Sequence, residues 1–158
     1  MHRGARMSNP EGENDAPSPG RAADLVPVSE IMTRDVIAVR PELGREALED
    51  LFLAKGISGA PVIDDAGRPI GVVSTTDLLQ RKETADGGEP KVRDLMMQTA
   101  LCLVENESIA KAAGLMAFEG VHRVPIVGTR GMVTGMVSPL DIMRWLARAH
   151  GYPIANRR

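Results

Sequence analysis

Gly71-Val72-Val73-Ser74-Thr75-Thr76-Asp77 and Gly135-Met136-Val137-Ser138-Pro139-Leu140-Asp141 are the two segments on which the reading of this 158-residue chain turns. Each passes from an apolar stretch through a serine to an acid followed by apolar residues. That order reads as a strand, a tight exit and the start of a helix. Ser-x-x-Asp is close to the capping box Ser/Thr-x-x-Glu/Gln, with a shorter acid at N3. Pro139 falls at N1, where proline is favoured, and an acid in the first turn complements the helix dipole. Capping alone therefore accounts for either copy taken singly.

The recurrence shifts the balance. Sliding the chain against itself by 64 positions aligns residues 28–80 with 92–144 without a gap. Val28/Val92, Met32/Met96, Leu51/Leu115, Gly56/Gly120, Pro61/Pro125, Gly67/Gly131, Gly71/Gly135, Val73/Val137, Ser74/Ser138 and Asp77/Asp141 are identical. They fall at turns, caps and core positions, as expected of an internal structural repeat. Each copy parses alike: a helical turn (28–32; 92–96), a β-rich stretch (36–39; 100–104) and an amphipathic helix. Ala47, Leu48, Leu51 and Phe52 share one face of that helix in the first copy, and Ile109, Ala112, Ala113 and Met116 in the second. Gly56 and Gly120 sit where a C-cap glycine belongs. Two strands follow (60–63 and 70–73; 124–127 and 133–137), with a turn at Gly67 or Gly131, then a second helix from Ser74 or Ser138. The predicted class is α+β, with two β-α-β-β-α units packed sheet to sheet about a pseudo-two-fold, since a unit of this size is marginal alone. The predicted division is a disordered tail over 1–24, repeat one over 25–83, a linker over 84–90, repeat two over 91–148 and a C-terminal tail over 149–158. Met7 is an alternative start to Met1.

In both copies a helix N-terminus with free N–H groups stands beside a carboxylate and a hydroxyl. N–H groups and a hydroxyl can meet phosphate, while a carboxylate can accept hydrogen bonds from ribose.

The whole pattern resembles the CBS-domain family, whose tandem pair is often called a Bateman module. The resemblance is carried by Ile31-Met32-Thr33, by Gly-x-x-x-x-Pro-Val/Ile (Gly56 to Val62; Gly120 to Ile126) and by the closing Gly-x-x-Ser-x-x-Asp, over roughly residues 25–148. It implies a regulatory module that binds AMP, ADP, ATP, S-adenosylmethionine or a related adenosine ligand in the cleft between repeats. Asp141 and Asp77 would then hold ribose, with Ser138 and Ser74 beside them. His122 and Arg123 would meet phosphate; their stretch, Val121-His122-Arg123-Val124-Pro125, looks like one in the γ subunit of AMP-activated kinase. Thr33, Ile37, Ala38, Val124 and Pro125 would lie on the adenine side. The resemblance also implies a homodimer formed through helices, for which Leu78, Leu79, Ile142, Met143, Trp145 and Leu146 provide apolar surface.

The copies differ at informative places. Ser58-Gly59 stands where the second copy has His122-Arg123, and Thr33 where it has Met97. The pockets are therefore expected to be unequal, with the one joining Thr33 to Asp141 the better site and Arg123 able to serve either. Taken without the repeat, His122 and Arg123 read as a solvated turn before a strand.

Composition narrows the remaining classes. The chain is 43% hydrophobic but 3% aromatic, so its core is aliphatic, and its formal net charge of −2 gives no basic excess for nucleic acid. The four arginines between Ile142 and Arg158 read more readily as a solvated helix face than as a nucleic-acid tail. No apolar run reaches the ~20 residues of a membrane span, and no apolar stretch follows Arg3 and Arg6 as in a secretory signal. The expected compartment is the cytoplasm. There is no P-loop, H-E-x-x-H or C-x-x-C, so neither metal site nor required cofactor is predicted. Cys102, in a predicted buried strand, reads as a packing residue rather than a nucleophile. No catalytic residue is assigned. A sensor that signals to a separate, unidentified effector protein is one reading; a docking module without a ligand is the alternative.

Overall fold

A computed structural model describes residues 19–80, 84 and 87–155. Their class is α+β, as expected. The elements run α1 (Pro19–Leu25), a 3-10 turn (Val28–Glu30), α2 (Arg45–Lys55), β1 (Gly59–Ile63), β2 (Pro69–Ser74), α3 (Thr75–Leu78), α4 (Val92–Leu95), β3 (Leu103–Val104), α5 (Ile109–Glu119), β4 (Val124–Val127), β5 (Val133–Val137) and α6 (Pro139–Ala149). In each repeat two antiparallel strands form a hairpin, β1 with β2 and β4 with β5. β3 adds parallel to β4, and in the first repeat the equivalent pairing is a single bridge, Val39 to Val62.

α2 and α5 follow their apolar faces. Leu48 and Phe52 of α2 are buried, as are Ile109, Ala112 and Met116 of α5. Both helices stop at a left-handed glycine, Gly56 at φ 62° and Gly120 at φ 66°. An L side chain is strained there by roughly 1–2 kcal/mol. Gly120→Ala is accordingly expected to lower unfolding stability by about 1 kcal/mol, measured by urea denaturation; an unchanged midpoint would refute the strain.

Two cores form, aliphatic except for Phe52, and each draws on both repeats. Val28 and Met32 pack with Leu103, Ala112, Met116, Val121, Val124, Ile126 and Val137. Val92 and Leu95 pack with Val39, Leu48, Phe52, Ala60, Val62, Val73 and Leu78. The leading turn of each repeat is thus seated in the other repeat's core. Equivalent hydrogen bonds fix both turns: Val28 N–H donates to Glu107 O (2.7 Å) and Val92 N–H to Leu43 O (2.8 Å). Beyond each turn the backbone pairs with the last strand of the other repeat. Thr33 and Met136 exchange bonds of 2.9 Å each way, and Met97 and Val72 bonds of 3.0 and 3.3 Å. A division of the chain by repeat and a division by core therefore differ by these two turns.

Several expectations need correcting. Residues 19–24, assigned to a disordered tail, are in α1, which packs on α5; residues 1–18 lie outside the described residues. The β-rich stretches at 36–39 and 100–104 shrink to one bridge and to two residues, because each segment must first pair with the other repeat. The first repeat's closing helix, α3, has only four described residues, against eleven in α6. β-Branched Thr75 and Thr76 open α3, where α6 has the favoured Pro139. Cys102 is exposed, since it precedes β3 rather than lying in it. Within the expected linker, residues 85 and 86 lie outside the described residues. Its end is tied down: Glu89 accepts a bond from Glu46 N–H (2.7 Å) at the start of α2, where the N-cap, Gly44, has no side chain. Residues 81–83 and 156–158 are also outside the described residues.

Candidate functional site

The exchange of leading segments delivers residues 33–37 of the first repeat to the start of α6 in the second. A pocket of about 400 Å³ forms there, within the usual range of small-molecule sites. Thr33, Asp35, Val36 and Ile37 line it from one repeat, with Gly56, Ile57, Ser58 and Gly59; Arg123, Met136, Ser138, Asp141 and Arg144 line it from the other. A second pocket of about 430 Å³ repeats the arrangement with roles exchanged. Ser74, Asp77 and Val72 come from the first repeat, and Met97, Thr99, Leu101, Val121 and His122 from the second, again with Ser58 and Arg123.

The two serine–aspartate pairs are built identically. Ser138 N–H (2.8 Å) and Ser138 Oγ–H (2.7 Å) both donate to Asp141 Oδ2. Ser74 N–H and Oγ–H donate to Asp77 Oδ2 at the same two distances. Capping therefore uses one oxygen of each carboxylate. Among the described residues nothing donates to Oδ1, which leaves each aspartate an acceptor for a ligand. The serine hydroxyl, expected to be free for a ligand, spends its proton on the aspartate. It can still accept a bond.

Arg123 lies between the pockets. Its guanidinium donates to Ser58 Oγ. Burial lowers its pKa from the ordinary value, opposed by the nearby Asp77 carboxylate; an arginine remains a cation at neutral pH. A Cβ placed on Gly59 would stand 2.6 Å from Arg123 Nε and 2.7 Å from Cζ. The bare backbone at 59 gives the arginine its place.

Of the residues singled out in the sequence, the first pocket gathers Thr33, Ile37, Arg123, Ser138 and Asp141. The second gathers Ser74, Asp77, His122 and Arg123. Ala38, Val124 and Pro125, expected at the adenine side, line neither pocket. Val124 is fully buried in the second core and Pro125 is buried in β4. Ile57, Val36 and Met136 supply apolar wall in their place. Sequence reasoning misses Arg144, although it lies three residues after Asp141 on α6 and so on the same face. It also misses Ser58 as a contact of Arg123, while Thr99 and Leu101 follow from Asp35 and Ile37 by the repeat offset. Among the described residues no cluster has the make-up of a metal site, and no helix is long and apolar enough to cross a membrane.

Comparison with known proteins agrees with this architecture. The family described as CBS domain matches twice, over residues 28–83 and 92–148. A Methanopyrus kandleri protein, the uncharacterized MK0525, is 30% identical over 75% of this chain and 62% of its own length. Inosine-5'-monophosphate dehydrogenase of Halobacterium salinarum is 31% identical over 83% of this chain but 25% of the enzyme. The chain thus spans less than two thirds of both relatives, and likeness to a quarter of an enzyme does not bring its activity. Among solved structures, CBSX2 in complex with AMP is similar with a TM-score of 0.69 and 27% identity, over 78% of this chain and 98% of that one; CBSX2 is from Arabidopsis thaliana.

Proposed function

The chain belongs to the CBS-domain family, and on that premise we propose that it is a non-catalytic sensor that binds an adenine nucleotide in the first pocket and signals to a partner protein. The observation that carries this is the convergence of an apolar wall, the unspent oxygen of Asp141 and the guanidinium groups of Arg123 and Arg144 in a pocket shared by both repeats. Val36, Ile37 and Ile57 offer the surface for a base. Asp141 Oδ1 accepts from ribose hydroxyls, and Arg123 and Arg144 face phosphate through charge-assisted hydrogen bonds. The AMP bound by CBSX2 supports this choice of ligand class. A ligand that touches both repeats favours whichever mutual arrangement it fits better. The response it can drive is limited to its difference in affinity for the two arrangements.

Calorimetric titration with AMP, ATP, S-adenosylmethionine and adenosine tests the reading. AMP is expected to bind. Arg123→Ala is expected to weaken AMP by about tenfold, the value of a hydrogen bond to a charged group at a half-exposed site, and adenosine by less. Equal losses for both ligands would remove Arg123 from phosphate recognition.

The helices favour association as well. Leu79, Met143 and Leu146 are 82%, 57% and 42% exposed, and Leu140 is also exposed. Leu78, by contrast, is buried in the first core. We assign the exposed face to a homodimer. Light scattering at tens of micromolar is expected to give twice the chain mass, and a monomer mass would reject it. If no adenosine compound binds while the dimer forms, the ligand-independent docking reading replaces the sensor.

A further inference from the structure

The two pockets are related by the repeat, yet their cations are not. Arg123 and Ser58 line both pockets. The position equivalent to Arg123 in the first repeat is Gly59, so no second arginine matches it. The missing side chain is what gives Arg123 its central place, because a Cβ at 59 would overlap its guanidinium. Arg144 lines the first pocket only, and its counterpart, Gln80, lines neither. The first pocket therefore sets two guanidinium groups against Asp35 and Asp141. The second sets the shared Arg123, with exposed His122, against Asp77.

Resting on the nucleotide reading, we infer that the pockets compete for the single guanidinium of Arg123. A phosphate-bearing ligand in one weakens the binding of a second in the other, and the first pocket fills first. Two phosphates converging on Ser58 share one central cation. Whichever ligand engages it leaves the other facing its own pocket's aspartate without that compensation. A nucleoside without phosphate makes no demand on Arg123, so its two sites are independent. The chain then reads as a device for one charged nucleotide at a time, able to hold an uncharged nucleoside beside it.

The test compares the second pocket with the first one full and empty. AMP is titrated calorimetrically into the wild-type chain and into Asp141→Asn, which disables the first pocket. The second step in the wild type is expected to be weaker than binding to the second pocket of Asp141→Asn by about fivefold or more, the usual lower bound of a coupling between sites. With adenosine the two values are expected to agree. Ile37→Trp, which fills the first pocket without touching the cap, gives the same comparison should Asp141→Asn fail to fold. Equal AMP affinities in this comparison overturn the inference. So does a difference that persists in Arg123→Ala, since the arginine would not then be its source. Absence of AMP binding to every form would instead refute the nucleotide reading, and the inference with it.

Discussion

Asp141→Ala is expected to weaken AMP binding by about a hundredfold, because a hydrogen bond to a charged group contributes roughly 1.5–3 kcal/mol and ribose presents two hydroxyls to this carboxylate. The same change removes a cap. Asp141 Oδ2 takes both the N–H and the hydroxyl of Ser138, and loss of such a cap costs about 1 kcal/mol of stability. The roles separate in Asp141→Asn. Asparagine keeps a carbonyl oxygen for the two serine donors but carries no charge for ribose. Its melting temperature is expected to stay close to the wild type while affinity falls. If both variants bind AMP as well as the wild type, capping is the whole role of Asp141.

Gly71→Val is expected to be the most damaging change to the fold, at about 3 kcal/mol, the upper end of ordinary overpacking costs. In a chain of this size that corresponds to a melting temperature lower by roughly 6–12 °C. A Cβ on Gly71 would stand 2.5 Å from Met97 O and 2.7 Å from Met96 Sδ. Met97 O is backbone and accepts the Val72 N–H that fastens the second repeat's leading segment to β2. It cannot retreat without opening that pairing. Gly135 faces the equivalent place, but there the nearest atom is Met32 Sδ, on a flexible side chain, with the backbone Thr33 O farther off at 3.1 Å. Gly135→Val should therefore cost less than Gly71→Val. Gly114 provides the control: it lies in α5 with nothing within 4 Å of the place a Cβ would take, so Gly114→Ala should be neutral or slightly stabilising. Thermal melts of the three variants decide the order, and equal losses at 71 and 114 would contradict the close approach.

The repeat offset makes much of this readable from the sequence. It locates both capping boxes and both C-cap glycines, because those residues serve local geometry that sequence spacing encodes directly. The meeting of Thr33 and Ile37 with Asp141 and Arg123 is long-range and is implied only by the family resemblance. Val124 and Pro125 are misplaced for a different reason. β4 is Val-Pro-Ile-Val, buried at every position, and an unbroken apolar strand gives no alternation to say which side chain faces a pocket. The seating of Val28 and Val92 in opposite cores is hidden for a similar cause: a buried valine looks the same in either core, and only tertiary pairing chooses. Composition hides α1, since the helix-compatible Ala22-Ala23-Asp24-Leu25 follows a run rich in proline and glycine. Arg144 is legible in principle, one turn beyond Asp141, but the closing motif ends at the aspartate and does not point to it.

A crystal structure of the chain grown with AMP tests the central claim most directly. One AMP is expected in the first pocket, its ribose hydroxyls within hydrogen-bond distance of Asp141 Oδ1, its base against Ile37 and Ile57, and its phosphate on Arg123 and Arg144. AMP bound away from Asp141, or a first pocket that stays empty at saturating AMP, would contradict it.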